Sequence, residues 1–275
     1  MNTDSETRLS ICLQSDGFSF SLLGGKRQLL ALEENLPLPQ GGSAGIAAEM
    51  LARLDKQYGV NPLGLGGMRL VVPAGRFAWV PSHLFDPQRS RQYLDLVGNP
   101  GTAQGVFHII NNALGAYMVF EAEADAVTPF KVSFPGIDVH CPHSLLVTSD
   151  LLRDSAARPL MLLHIAHGRA DIEAFYSGRL LLSNSYPAAN ADEALYFAID
   201  IMKRLHLETP DMELRLCGEV DRAVYARYQR YFPNVGLHVG IPVVKCQPDT
   251  GSKNVSPDTG SALPVPTYKY PLLLN

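Results

Sequence analysis

The residues of this chain that could do chemistry are a few histidines, carboxylates and glycine-bearing turns. His140 and His143 flank Cys141-Pro142, and His164 and His167 bracket a second turn. Two such pairs meeting in space would supply the three or four ligands, converging at about 2 Å, that zinc requires. Pro142 makes the first pair a turn rather than one face of a helix, and His164 alternates inside an apolar strand, where a hydrogen-bonded core histidine is the ordinary role. No metal site is therefore expected. Ser15-Asp16-Gly17 has the composition of an anion-binding turn, yet Asp-Gly between alternating runs is first a hairpin signal. Gly64-Leu65-Gly66-Gly67 precedes a strand instead of joining a strand to a helix, so it reads as a loop. The sequence carries no Walker loop, nucleophile elbow, His-Glu-x-x-His or dinucleotide fingerprint, and no catalytic residue is assigned.

The elements that must position these residues come from a chain of 275 residues, 46% of them hydrophobic, enough for two ordinary domains with a substantial core. With 23 basic against 27 acidic residues the net charge is −4, so no global field draws the chain onto nucleic acid or anionic lipid. The densest basic stretch, Asp86-Pro87-Gln88-Arg89-Ser90-Arg91, is diluted by acid and amide and reads as a solvated helix face. Cys12, Cys141, Cys217 and Cys246 lack CxxC spacing, which suits reduced, buried thiols. No apolar run approaches a spanning length, and a cytoplasmic protein without membrane insertion is expected.

Leu9, Ile11, Leu13, then Phe18, Phe20, Leu22, then Leu29 to Leu32 form three apolar runs separated by Asp-Gly and Gly-Gly, which predicts a three-stranded meander. Ile46, Met50, Leu51 and Leu54 fall at helical spacing behind Ser43 as N-cap. Strands follow over 68–72 and 77–80, then a helix through Tyr93 and Leu96, and a hairpin over 106–110 and 116–121. Trp79, Tyr93, Phe77 and Phe85 are expected in that half's core. A second half opens with a strand at 137–139 and a helix at 144–152, then runs a meander over 159–165, 171–176 and 179–183. Asn190 with Glu193 marks an N-cap ahead of the stripe Ala194, Ala198, Ile201, Met202, Leu205. A strand at 214–216, a helix over 220–231 and a strand at 235–239 complete it, and the aromatics Tyr225, Tyr228, Tyr231 and Phe232 suit a partly exposed interface. The expected organisation is a first lobe over 1–122, a second over 123–245, and a linker-like tail over 246–275 that carries Pro-Asp-Thr-Gly-Ser twice and ends in an apolar segment that docks on the body.

Two α/β lobes of this order resemble the actin-like ATPase superfamily, two ribonuclease H-like lobes with a duplicated βββαβα. More narrowly, Leu9-Ser-Ile-Cys-Leu-Gln-Ser-Asp-Gly-Phe-Ser-Phe20 and Ile137-Asp-Val-His-Cys-Pro-His143 resemble an uncharacterised bacterial family with that fold. The resemblance implies a nucleotide cleft built from acidic, glycine-rich turns whose backbone N–H groups cradle phosphate. In the first lobe Cys12-Leu13-Gln14-Ser15-Asp16 stands where Asp-hydrophobic-Gly-Thr/Ser is expected. In the second, His164-Ile165-Ala166-His167-Gly168-Arg169-Ala170-Asp171 stands for Asp-hydrophobic-Gly-Gly-Gly-Thr-x-Asp, and Cys217-Gly218-Glu219 keeps one glycine of the adenosine loop. The resemblance thus implies a vestigial cleft at Gln14, Ser15, Asp16, Gly168, Arg169, Asp171 and Gly218, no cofactor, and a catalytically inactive scaffold or regulator that acts on a protein partner. The alternative is an atypical ATPase or phosphotransferase using magnesium and ATP, with Asp16 and Asp171 as the magnesium-orienting acids. A two-metal nuclease on the same plan ranks last, because the central strands carry too few acids.

Overall fold

The computed structural model describes residues 6–98, 105–207, 210–238, 244–245, 269 and 271–274. Its strands form two sheets of the same plan and a third, smaller one. In the first sheet β1 (Arg8–Leu13), β2 (Gly17–Leu23) and β3 (Gln28–Pro37) are the antiparallel meander, and β4 (Gly67–Val71) lies parallel to β1 on its other side. The small sheet takes β5 (Phe77–Pro81), β6 (Gly105–Asn111) and β7 (Ala116–Ala122) in the order β5-β7-β6. In the first sheet β4 is followed by β8 (Asp138–His140), also parallel.

This last pairing corrects the expected boundary at 122/123. The strand assigned to the second half closes the first sheet. Between β7 and β8 lies a helix absent from the sequence reading, α3 (Ala124–Ser133). Pro129 within it removes one backbone donor and ordinarily breaks a helix. Here the flanking Val127 and Phe130 are buried in the same cluster as Ile46, Met50 and Leu54 of α1 (Gly42–Lys56), so tertiary packing carries the helix past its proline. The N-cap of α1 is Gly41, with φ of 91°, rather than Ser43. The first lobe is thus β1-β2-β3-α1-β4, an insertion of β5, α2 (Ser90–Asp95), β6 and β7, then α3 and β8.

After β8 come two short helices, α4 (Pro142–Leu146) and α5 (Ser149–Asp154), where one was expected; the break at Val147 and Thr148 lets the Thr148 hydroxyl accept from Leu151 N–H as the cap of α5. The second sheet has the order β11-β10-β9-β12-β13, with β9 (Leu160–Ala166), β10 (Arg169–Tyr176) and β11 (Arg179–Pro187) antiparallel, and β12 (Glu213–Gly218) and β13 (Asn234–Leu237) parallel to β9. Asn190 caps α6 (Ala191–Arg204), its Oδ1 accepting from the N–H groups of Asp192 and Glu193 at 3.0 Å each. With α7 (Arg222–Tyr228), α6 covers one face of this sheet, where Tyr228 and Phe232 are wholly buried, while Tyr225 is half-buried and Tyr231 exposed, so only part of the expected aromatic group reaches the surface.

The opposite face of the second sheet meets the first lobe. Leu160, Leu162 and Phe175 pack there with Val71 of β4, with Leu145 and Leu146 of α4, and with Leu272 of α8 (Pro271–Leu274). Leu273 and Leu274 pack on Leu23 and Leu29 of the first sheet, and the Leu273 carbonyl accepts from the Ser21 hydroxyl at 2.8 Å. The Pro-Asp-Thr-Gly-Ser repeats lie outside the described residues, as does Cys246. Lys245 belongs to the two-residue strand β14 (Val244–Lys245), which pairs parallel with β3. Among the described residues no helix is long and apolar enough to cross a membrane.

Candidate functional site: the interlobe cleft and its floor

Between the lobes lies a cavity of about 460 Å³. Gln14 reaches it from the end of β1, His164 from β9, His167 from the β9–β10 turn, and Gly218 with Glu219 from the end of β12. Three separated stretches that the sequence singles out therefore meet in one place. His167 and Gly168 both have positive φ, 51° and 71°, and form a two-residue loop between Ala166 and Arg169, the geometry that matches strand twist in a tight hairpin. Gly218, with φ of 87°, has no room for a side chain, because a Cβ would overlap the Ile165 carbonyl. The chain needs glycine there for close approach, whatever the cleft holds.

Other expected residues part from this group. Gln14 N–H donates to the Gly17 carbonyl at 2.9 Å, closing a turn that puts Ser15 and Asp16 at an exposed tip. Ser15 lines a different cavity, of about 620 Å³, in the first lobe beside the start of α1. Arg169 is exposed at the start of β10, with its Nε 4.0 Å from Asp171 Oδ1. Asp171 itself lies under the floor, 4% exposed, and its two oxygens are already engaged. Oδ2 accepts from His164 Nδ1 at 3.0 Å, and Oδ1 accepts from the Ser185 hydroxyl.

The strand alternation explains why. Ala170 and Ile172 face the α6 layer, so Asp171, Glu173 and Phe175 face the other lobe. The register sets Asp171 opposite His164 on β9 and opposite Ser185 on β11, and sets Glu173 opposite Ser183. From α4, His143 enters the same layer, stacked on Phe77 of the small sheet at a centroid distance of 4.0 Å. Its Nδ1 pairs with Glu173 Oε1, and its Nε2 lies 3.0 Å from Ser185 Oγ. The result is a continuous chain, Glu173, His143, Ser185, Asp171, His164, buried except at the half-buried Ser185, that spans from α4 to the cavity. Asn111 holds α4 in place by donating to the Ser144 and Val147 carbonyls, at 3.3 and 2.9 Å.

Burying carboxylates is costly unless they are paired and hydrogen-bonded. Burial alone would raise Asp171, but the hydrogen bond from His164, the His143 charge and the Ser185 hydroxyl outweigh it and hold the carboxyl well below the usual range. Burial pulls His143 down, and the Glu173 charge and hydrogen bond, with Asp171 behind them, more than reverse this. Glu173 is pushed up by burial, with His143 offsetting part of the rise. Both members of the His143–Glu173 pair are thus driven to keep a proton between them, while Asp171 stays ionised.

Serine, histidine and glutamate in this order resemble a nucleophile, base and orienting acid, but the proton directions are wrong for that role. An ionised Asp171 can only accept, so the Ser185 hydroxyl donates to it, and His143 Nε2 must then donate to Ser185. Ser185 therefore has no imidazole base, and its proton faces only the weakly basic Asp171 carboxylate. The four histidines also stay apart as ligands: His140 Nδ1 bonds Ser144 Oγ at 2.9 Å and burial pushes it down to about 3, and among the described residues no group of three His, Cys, Asp or Glu side chains is placed to hold a metal ion.

Sequence reasoning missed Glu173, Ser183 and Ser185 and saw His143 only as a potential zinc ligand. The signal was present as acids at alternate positions of an otherwise apolar strand, Ala170-Asp-Ile-Glu-Ala-Phe175, which marks a polar face that must meet partners inside the protein.

A family model described as "Protein of unknown function (DUF3822)" matches residues 1–235. No curated protein matches the chain. Among solved structures, a Bacteroides thetaiotaomicron protein with actin-like ATPase fold and unknown function superposes with a TM-score of 0.67 at 18% identity, over 86% of this chain and 92% of that one. The PilM-PilN type IV pilus biogenesis complex gives 0.47 at 12%, over 83% and 87%. The ethanolamine utilization protein EutJ from Carboxydothermus hydrogenoformans gives 0.45 at 9%, over 84% of each chain. The fold is therefore that of the actin-like ATPases, as the element order implies.

Proposed function

We propose that this chain, which belongs to the DUF3822 family of proteins of unknown function, acts by binding and not by nucleotide turnover, as a cytoplasmic scaffold or regulator with a protein partner. One observation carries the reading: the acid that would orient magnesium is consumed by the protein itself. Asp171 gives one oxygen to His164 and the other to Ser185, while Asp16 sits on an exposed turn and does not line the cleft. Magnesium-assisted phosphoryl transfer needs carboxylates that converge on the ion and donors that surround the phosphates. Here the wall that should offer a run of glycine N–H groups offers Ala166 and His167, and Glu219 takes the His167 N–H at 3.0 Å. The residues present do not fit magnesium-bound ATP, and no step through it is derived.

Titration calorimetry with magnesium and ATP, together with a phosphate-release assay, tests this reading. No saturable heat and no release are expected from the full chain. Phosphate release that disappears in Asp171→Ala would show an enzyme and end the proposal.

A further inference from the structure

A helix of one turn, such as α8 (Pro271–Leu274), has no stability of its own in water, so the surface beneath it sets its place. That surface runs between the lobes. Leu272 belongs to the buried cluster that holds Val71 of the first sheet with Leu160 and Leu162 of the second, while Leu273 and Leu274 pack on Leu23 and Leu29. The polar contacts go to backbone: the Leu273 carbonyl accepts from the Ser21 hydroxyl at 2.8 Å, and the Leu274 carbonyl accepts from the Arg27 guanidinium. A groove that reads aliphatic side chains and main-chain carbonyls suits a short aliphatic segment, whichever chain supplies it. Charge marks one end of this groove. At the Leu274 end, Arg27 Nε is buried and has no hydrogen-bond partner among the described residues. Arg8 and Arg69 stand near it: after burial, the Arg8 charge lowers both Arg27 and Arg69, and Asp138 offsets part of the effect at Arg69. Guanidinium groups gathered where burial already disfavours their charge call for an anion at that end.

Two further observations separate the groove from its occupant. The family model ends at residue 235, so the matched unit contains Ser21, Leu23, Arg27, Leu29, Leu160 and Leu162 but no part of α8. Between β14 and α8 the sequence carries Pro-Asp-Thr-Gly-Ser twice, a linker composition. We propose that this groove is a docking site for a short aliphatic segment followed by a carboxylate, which α8 occupies in cis until a partner's segment of the same chemistry displaces it. The inference rests on the reading that the protein acts by binding a protein partner, and deepens it by naming what the partner presents. A ligand carried on a flexible tether counts as about millimolar, so a free competitor meets a groove that is already filled. Leu272 and Leu273, with Lys269 ahead of them, also line the interlobe cavity, so displacing α8 removes one of its walls.

The probe is an N-terminally labelled peptide, Tyr-Pro-Leu-Leu-Leu-Asn, made as the free acid and as the C-terminal amide, and its fluorescence polarisation is read with the full chain. Wild-type protein is expected to bind it weakly. Leu273→Asp in the full chain, which removes the occupant's own anchor, is expected to bind the acid at least about tenfold more tightly, the scale of freeing a groove from a tethered competitor. A full chain with a protease site set into the repeats gives a second reading that does not depend on this variant folding: cutting the tether is expected to let the probe exchange in. The amide is expected to bind the freed groove about fivefold more weakly than the acid, the scale of a partly exposed ion pair, and Arg27→Gln to abolish that difference. No gain of binding in the cut chain or in folded Leu273→Asp, or equal binding of acid and amide, would overturn the inference. A dimer built by exchanged tails, seen as a mass that halves in Leu273→Asp, would overturn it as well. Phosphate release from ATP would instead bring down the binding reading and leave the peptide results standing, so the two failures are distinguishable.

Discussion

The two lobes place the same positions of the same sheet against each other and fill them with different chemistry. In the first, Cys12 stands opposite Ser19 and Ser10 opposite Ser21 across β1 and β2. At the corresponding places in the second, His164 stands opposite Asp171 and Leu162 opposite Glu173 across β9 and β10. The four first-lobe positions are uncharged, and the hydroxyls among them are satisfied locally: Ser19 Oγ accepts from Gln14 Nε2 and from the Asn35 N–H, and Ser21 donates to the Leu273 carbonyl. The other side carries two acids, which need two histidines and two serines to be tolerated. The acids of β10 sit where β11 and α4 supply partners; their counterparts on β2 are serines, and the first lobe keeps its buried charge elsewhere, as in Glu121 paired with Arg76.

Moving the charge across should break the molecule most. Ser19→Asp would put a carboxylate at the counterpart of Asp171 without a histidine opposite, and denaturant unfolding is expected to show a loss of about 3 kcal/mol or more. His143→Ala, which strips Glu173 of its partner while leaving it buried, is expected to cost about 3–5 kcal/mol by the same measurement. Losses under 1 kcal/mol in both would mean that the lobes are not distinguished by how they tolerate charge.

A smaller effect follows from pH. The folded value of His143 is raised, so its stabilisation is fully present below the ordinary histidine value and is lost as pH rises through the folded one. Glu173, also raised, weakens the folded state in the same direction once pH exceeds the ordinary carboxyl range. Asp171 is lowered, so its contribution holds above the ordinary carboxylate value and fades only as the solution becomes strongly acid. Stability is therefore expected to decline with rising pH, beginning above the ordinary carboxyl range through Glu173 and continuing above about pH 6.5, the unperturbed histidine value, through His143, and His143→Gln is expected to flatten the upper limb. An unchanged limb in the variant would place the titrating group elsewhere. The smallest change is on the neutral side: Ser21→Ala removes one hydrogen bond to the Leu273 carbonyl, worth about 1 kcal/mol in thermal or chemical unfolding.

Local chemistry made much of this readable in advance. The Asn190 cap, the hairpin turn at Ser15-Asp16-Gly17 and the period-two runs of both meanders depend on neighbours in sequence, and they sit where the sequence places them. What escaped depends on distant partners. The strand at 138–140 has no local mark of which sheet it joins, and only its pairing with β4 decides. The helix around Pro129 exists because α1 and the first sheet bury its apolar side. Of the candidate residues, Gln14 and Gly218 reach the cavity because strand ends fix them, whereas Asp171 is drawn under the floor by His164 and Ser185, one from each neighbouring strand. Register across three strands is a long-range property, and no window along the sequence contains it.

The most direct test of the central claim, that Asp171 belongs to the protein's own network and not to a metal-bound nucleotide, is the carboxyl carbon resonance of Asp171 followed by NMR through acid pH and then with magnesium and ATP. The expected result is a carboxylate that stays ionised well below the usual range and does not move when magnesium and ATP are added. An ordinary titration near pH 4, or a saturable shift on adding the nucleotide, would contradict it.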